Sequence, residues 1–574
     1  MPVQCCIARQ CVADRSDDLD RWRTAIGAAF DRADRIAALR ERDSYDGIII
    51  GAGQHGLILG SYLARAGLRV ALLDRRLPYG GGLMTEERTL PGFYHNLHSI
   101  NHFSILGTPW FRDLGLAERV SYIVPPYEFA QPHSDGSALV FSRDIDETVA
   151  SIARFSAADA RTFREWNARA EELTQKVFLT ERYSEPLSAE RRAEVLGASA
   201  IGREFLELTE HQPDDMVNQL FEDERVKVLF LFKLSLFGTV LHETLSSQSP
   251  MGSLIRAFDL TTGYELCRGG SWNLARGLME TFIAAGGVYL PQADVERIVV
   301  QGDSARGVLL RDGRELSAGQ FVASTVDVHQ TFSEMLKDAD LPPAYRDKVA
   351  AFRSTRWTLF GLHLALREPP RYASAAFDPN IDRALKYNIG SESIASLVEA
   401  HADVEAGRLP SRIQFGGGAL TQLDPSQAPV GFHTAYAWQV VPFAPDGDHE
   451  RLDAVKDDLA DAIIAKWREY APNVTDENIL ARYTYSAYEY SRELINMRGG
   501  DIFMGSLDAG QVMHNHFGYR TPIAGLYMAG SPTHPSGGIS GGAGYIAAGI
   551  IAKEIGAKLW WEPLDATREL GALT

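Results

Sequence analysis

Uninterrupted apolar runs and helical spacing alternate around residue 50. Ile48-Ile49-Ile50 is apolar at every position, the pattern of a parallel strand buried on both faces. Leu57, Leu59, Tyr62, Leu63 and Ala66 then recur at helical spacing, and Gly67 can end that helix. Leu68 to Leu73 is a second apolar run, with Asp74 at its end. Between the first run and the helix stands Gly51-Ala52-Gly53-Gln54-His55-Gly56. The pattern predicts strand, tight glycine turn, helix, strand and terminal acid. In that unit the first glycine permits the turn, the second lets backbone approach a pyrophosphate, and the third lets helix and strand pack closely. A pyrophosphate would rest on the helix N-terminus, where N–H groups and the dipole favour an anion. Asp74 can accept from a ribose 2′-OH, and its charge disfavours NADP.

Further along, the period predicts a helix over 16–41, with Ser16 as cap and Leu19, Trp22, Ile26, Ala29, Phe30, Ala33 and Ile36 on one face. That helix is expected to pack on the body or on a second subunit. Residues 145–260 read as mostly helical. "ARGVLLRDGRELSAGQFVAST" reads as a hairpin turning at Asp312-Gly313, and "TLFGLHLAL" and "FHTAYAWQVVPF" as strands of another sheet. Residues 450–470 read as a helix. The chain closes on a strand, a long glycine-rich loop and a small-residue helix. Sheet segments far apart in sequence bracket a helical middle, which implies domains woven from discontinuous pieces.

Composition narrows the function classes. The 574 residues can form two or three domains with large cores. A net charge of −18 argues against nucleic-acid binding and against docking on an anionic membrane. Cys5, Cys6, Cys11 and Cys267 form no disulfide framework, and a reducing cytoplasm is expected. No leader pattern opens the chain, and no apolar run reaches the length of a membrane span. "VKVLFLFKLSLFGTVL", Val226 to Leu241, is interrupted by Lys227 and Lys233 and is expected to be a buried helix, with a membrane-surface element of weak association or a substrate-entry element as the competing reading.

FAD and NAD share the first glycine fingerprint, so the choice between them rests on the rest of the chain. After Asp74 comes a second glycine-rich stretch, Gly80-Gly81-Gly82, and a third closes the chain at Gly537 to Gly542. FAD is long, with its flavin far from its adenine, and suits loops at both ends better than NAD does.

The ordered set "GAGQHGLILGSYLARAGLRVALLDRR", "GGGLMTEERTLPGF", "CRGGSWNLARGLMETFIAAGG" with "ADVERI", and "GYRTPIAGLYMAGSPTHPSGGISGGAGYIAA" resembles the phytoene desaturase-like flavoproteins of the FAD-dependent amine oxidase superfamily. The resemblance runs from about residue 45 to 555. It implies an α/β fold in which a Rossmann-like, glutathione-reductase-type FAD domain is interwoven with a mixed-sheet substrate domain and a helical region. The expected division is a tail and helix over 1–44, an FAD domain from 45–105, 265–330 and 500–560, and a substrate and helical domain from 106–264 and 331–499. By position it implies that Gly51, Gly53 and Gly56 contact the pyrophosphate, and Asp74 and Arg75 the adenosine side. Gly81, Gly82 and Leu83 would line the ribityl and flavin edge, and Val295 would meet the adenine through its backbone. Gly530 and Ser531 would approach the ribityl-phosphate region. Gly538, Ile539 and Ser540 would lie by the flavin pyrimidine ring.

One departure bears on the substrate. His95, His98 and His102 crowd into "FYHNLHSINHF", while His514 and His516 precede the last glycine loop and His534 lies inside it, six of the 15 histidines in all. That polarity fits a small substrate with oxygen or nitrogen functions better than a long hydrocarbon. Desaturation needs a hydride acceptor and a group that removes a proton, commonly histidine. The expected activity is FAD-dependent desaturation of an organic small molecule, with His98 the first candidate base and His95, His102 and His534 its competitors. Spacings of three and four would put the first three on one helical face; a metal reading lacks an acidic partner, and none is assigned. A saturase or redox-neutral isomerase of the same branch, an amine oxidase, and a non-enzymatic flavoprotein scaffold stay open. The electron acceptor, whether oxygen, a quinone or another, is not named by the sequence.

Overall fold

The computed structural model describes residues 44–235, 263–355, 357–507 and 509–573. The helix expected over 16–41, the three N-terminal cysteines and the last residues of the Val226–Leu241 run lie outside them.

Two seven-stranded sheets organise the chain. The first runs in the order Val288–Leu290, Val70–Leu73, Ser44–Ile50, Glu315–Ser324, Ser304–Leu310, Val295–Gln301, with Leu526–Met528 also beside Glu315–Ser324. The first four of these strands and Leu526–Met528 are parallel, and the last two continue antiparallel. Ser44–Ile50 sits between two partners, with Ile48 opposite Ala71 on one side and Val322 on the other. Its isoleucines are almost wholly buried, which is why the run carries no polar alternation. Asp312-Gly313 turns the hairpin, with Gly313 at φ +90°. The helices Gln54–Arg65, Trp272–Ala284 and Gly542–Glu554 pack together against this sheet. Gly544 lets the last helix meet the first: a Cβ there would stand 2.4 Å from the His55 carbonyl oxygen.

The second sheet runs Ile479–Tyr485, Trp357–Leu366, His433–Pro442, Phe415–Gly418, Lys386–Ile389, Tyr127–Pro132, Ala138–Ser142. Trp357–Leu366 is buried at every position. The helix Arg451–Tyr470 supplies Ile463, Ile464 and Trp467 to the core that covers this sheet. The helices between Ile145 and Ser235 bury a third core, around Phe141, Phe163 and Phe230. Within it lies Glu224–Ser235, the described part of the Val226–Leu241 run. Lys233 does not break that helix. Its Nζ is buried 3.5 Å from the Glu128 carboxylate. Among the described residues no helix is long and apolar enough to cross a membrane.

Candidate active site

The turn after Ile50 is shaped by what its glycines exclude. Gly51 adopts φ +101°, a backbone conformation that disfavours any Cβ. At Gly56 a Cβ would fall 2.0 Å from the Gly51 carbonyl oxygen, so only glycine lets helix and turn close. Gly53 differs. A Cβ there would meet no protein atom nearer than Gly81 Cα at 3.9 Å. The space in front of Gly53 is therefore left open by the protein. The helix Gln54–Arg65 starts here with no side-chain cap and no acid in its first turn, so its N–H groups are available to an anion.

The second glycine loop closes over the first. The Gly80 amide donates to the Ala52 carbonyl at 2.8 Å, and Gly80 and Gly81 have φ of +110° and +60°. The third loop closes from the other side. Gln54 Nε2 donates to the Gly538 carbonyl, and both Trp110 Nε1 (2.7 Å) and the Tyr183 hydroxyl (3.2 Å) donate to the Ser540 carbonyl.

These loops wall one continuous cavity of about 620 Å³. Of the cofactor residues expected from sequence, Gly51, Gly53, Asp74, Arg75, Gly81, Gly82, Leu83, Val295, Ser531, Gly538 and Ile539 line it. Gly56, Gly530 and Ser540 stand behind the wall. Gly530 passes so close to its neighbour strand that a Cβ would lie 2.2 Å from the Thr325 carbonyl oxygen. Asp74 receives the Ala52 amide at 3.0 Å and the Arg76 amide at 2.9 Å. Burial holds its carboxyl above the usual range, against those donors and the charges of Arg76 and Arg75. Arg75, Arg76, Arg311 and Lys337 line the cavity together with Asp294, Glu296 and Glu334, and Arg311 is paired with Asp294 at 3.2 Å. An open space before Gly53, an uncapped helix start and a buried acid with Arg75 and Arg76 beside it together fit a dinucleotide pyrophosphate and ribose.

The histidines separate. Their segment is not a helix: Tyr94–Asn96 pairs with Thr85–Glu87, and His102–Phe103 pairs with Tyr264–Cys267, so the three rings do not share a face. Of the candidate bases His95, His98, His102 and His534, only His98 lines the cavity, with His55 elsewhere on its wall. His95 is buried, 2.8 Å from Thr89 Oγ1. His102 is enclosed by the Tyr122 hydroxyl at 2.6 Å, Ser99 Oγ at 2.9 Å and Ser271 Oγ at 3.2 Å. His534 Nε2 meets the Glu181 carbonyl at 2.8 Å. His95, His102 and His534 are thus structural in their contacts, and burial lowers each to about 3. His98 is also lowered to about 3, by burial and then by the charges of Arg76 and Arg88.

Sequence reasoning passed over several wall residues: Gln54, Arg76, Arg182, Tyr264, Lys386, Trp438 and the stretch Glu493–Met497. The structure alone singles out Lys386. It is a lysine in a strand whose four positions are all buried.

The family model of flavin containing amine oxidoreductases matches residues 56–549. The chain belongs to that family. As a family member it is an FAD-dependent oxidoreductase, with FAD as its cofactor. It is 31% identical over 560 residues to a component of the limonene dehydrogenase of Castellaniella defragrans, across 92% of this chain and 98% of that protein. It is 24% identical over 508 residues to phytoene desaturase (lycopene-forming) of Paracoccus sp., across 87% and 95%. Among solved structures, cyclohexylamine oxidase from Brevibacterium oxydans shares the fold, with a TM-score of 0.54, 15% identity, and coverage of 89% of this chain and 99% of that one.

Asp74→Ala should weaken FAD binding roughly 10- to 100-fold, because a hydrogen bond to a charged group contributes about 1.5–3 kcal/mol. Titration of apoprotein with FAD, followed by flavin fluorescence, measures this. An unchanged Kd would reduce Asp74 to a brace for the Ala52 turn.

Proposed function

We propose that the protein dehydrogenates an organic small molecule that carries polar groups. The observation behind this reading is the continuity of the cavity. It runs from the glycine loops past His98 and Asn101 to Tyr264, Lys386 and Trp438, which come from outside the first sheet. When bound, FAD supplies a two-electron acceptor for such a reaction. The chain's own residues position the substrate and handle its proton. His98 is the proposed base. The near full-length similarity to a limonene dehydrogenase component supports dehydrogenation of a small molecule. A wall that includes an imidazole, an amide and an ammonium group argues against a long hydrocarbon.

In this reading the first sheet and its helices form the FAD domain, from 45–105, 265–330 and 500–560. The second sheet and the helical region, 106–264 and 331–499, form the substrate side. Cys267 is a buried free thiol, in keeping with a reducing, cytoplasmic setting.

An anaerobic screen of oxygen- and nitrogen-bearing metabolites, followed by flavin absorbance, tests this. The expected result is full bleaching by at least one compound and recovery on adding an electron acceptor. Bleaching by dithionite alone, with no compound in a broad panel acting, would sink the dehydrogenase reading.

A further inference from the structure

The cavity wall contributed by the second sheet holds Lys386, close to a buried Lys233–Glu128 pair. Lys386, Lys233 and Glu128 are 4%, 2% and 1% exposed. Glu128 stands on the strand Tyr127–Pro132, and Lys386 begins the parallel neighbour strand, in register with Phe129. Both oxygens of Glu128 are already engaged. Oε1 accepts from the Tyr264 amide, and Oε2 faces Lys233 Nζ at 3.5 Å. Lys386 is left over. Its Nζ lies 5.3 Å from the centre of the Tyr264 ring, and no hydrogen-bond acceptor or ion-pair partner reaches it among the described residues. Lys386 and Tyr264 both line the cavity.

Among the described residues, the buried ammonium groups of Lys386 and Lys233 stand near one buried carboxylate, that of Glu128, which faces Lys233. A buried ammonium without a counter-charge costs several kcal/mol by itself, so a strand position facing a purely hydrocarbon ligand would be better filled by an apolar side chain. The wall around Lys386 is aromatic, with Phe103 stacked edge-on against Tyr264 at 5.4 Å between ring centres. An apolar body with one anionic oxygen group matches such a wall.

We propose that the substrate bears a carboxylate, and that Lys386 Nζ holds it at the second-sheet wall of the cavity. This rests on reading that part of the cavity as the substrate pocket. The carboxylate supplies the missing negative charge. It accepts from an ammonium that has no competing acceptor, and it turns the substrate body toward the glycine loops. Burial, and then repulsion from Lys233, lower Lys386 to about 7, with Glu128 acting in the opposite sense. An arriving carboxylate favours the charged amine, so binding takes up a proton above pH 7.

The test uses FAD-loaded protein and two probes of matched shape, cyclohexanecarboxylate and cyclohexylmethanol, with binding read from the flavin difference spectrum. Wild type should bind the acid at least about tenfold more tightly than the alcohol, as expected for a charge-assisted hydrogen bond. K386M should lose that preference and K386R should keep it. In wild type the acid's affinity should fall as pH rises from 6 to 9 and the alcohol's should not. Among the described residues, Lys233, Glu128 and Tyr264 are the other titratable groups around Lys386, with Lys233 Nζ 3.5 Å from Glu128. Equal affinity of the two probes for wild type, a preference retained in K386M, or acid affinity flat with pH would each overturn the proposal. If K386M fails to retain FAD, the wild-type pH series decides. No turnover is needed. Equal probe affinity together with metabolite-driven bleaching sinks only the carboxylate, whereas a clear acid preference without any bleaching metabolite sinks only the dehydrogenase.

Discussion

Replacing Gly56 by alanine should yield a protein that holds FAD roughly 100-fold more weakly than wild type. The added Cβ would stand 2.0 Å from the Gly51 carbonyl oxygen and 3.2 Å from Leu72 Cδ1. Overpacking costs about 1–3 kcal/mol when neighbours can move aside. Here the nearest neighbour is backbone in the turn that faces the pyrophosphate, so the upper end applies, and each 1.4 kcal/mol is about tenfold in affinity. The turn cannot retreat freely. Gly51 is already at φ +101°, and the Thr325 hydroxyl beside it donates to the Ile50 carbonyl at 2.9 Å. Gly67→Ala is the control. Gly67 has φ +95°, but no atom lies within 4 Å of the place its new methyl would take, so strain of about 1–2 kcal/mol should lower thermal stability and leave the flavin-to-protein ratio intact. Flavin absorbance per protein and a denaturation midpoint, measured on both variants, separate a cofactor effect from a folding effect. Full FAD affinity in Gly56→Ala would show that the turn relaxes without consequence.

The same turn shows why part of this molecule could be read from its sequence. Ser44–Ile50 is flanked by strands on both sides and covered on both faces, so burial writes itself as an unbroken apolar run. Gly51 answers to its own positive φ and Gly56 to the Gly51 carbonyl five residues earlier, and local spacing reports them. Gly530 answers to Thr325, two hundred residues earlier, so its role was visible only through resemblance. The histidine segment misled for a different reason. Spacings of three and four suit a helix face, but Thr85–Glu87 captures Tyr94–Asn96 as a strand and Tyr264–Cys267 captures His102–Phe103. Strand pairing, once with a near neighbour and once with a segment about 160 residues on, overrode the helical period. Lys386 went unnoticed because nothing in its own neighbourhood says that Glu128 is already taken. That fact depends on Lys233 and on the Tyr264 amide, on three separate elements.

His98→Gln should lower kcat by about 10²–10⁴-fold, the usual loss when a general base is removed, with FAD content unchanged. His98 packs beside the second glycine loop: a Cβ on Gly82 would lie 3.6 Å from its own Cβ. The Tyr485 hydroxyl donates to Glu493 Oε2 at 2.9 Å, so its oxygen is left to accept from His98 Nε2–H at 3.4 Å. This assigns the proton to Nε2 and the lone pair to Nδ1, for which the described residues supply no partner. Glu493 in turn meets Arg88 at 3.4 Å, in a part of the chain that reaches solvent. A proton taken at Nδ1 thus has a route outward from Nε2 through Tyr485 to Glu493. With its pKa lowered to about 3, His98 is neutral at every pH from 5 to 9, so the free enzyme should show no loss of kcat/KM from this group as pH falls through 6.5. Tyr485→Phe interrupts the route without touching the imidazole and should lower kcat less than His98→Gln does. His95→Gln and His102→Gln, whose rings do not line the cavity, should instead cost stability and leave kcat near wild type. If His98→Gln keeps normal turnover while either of these loses it, the base has been misassigned, and the cavity wall rather than the imidazole must carry the proton.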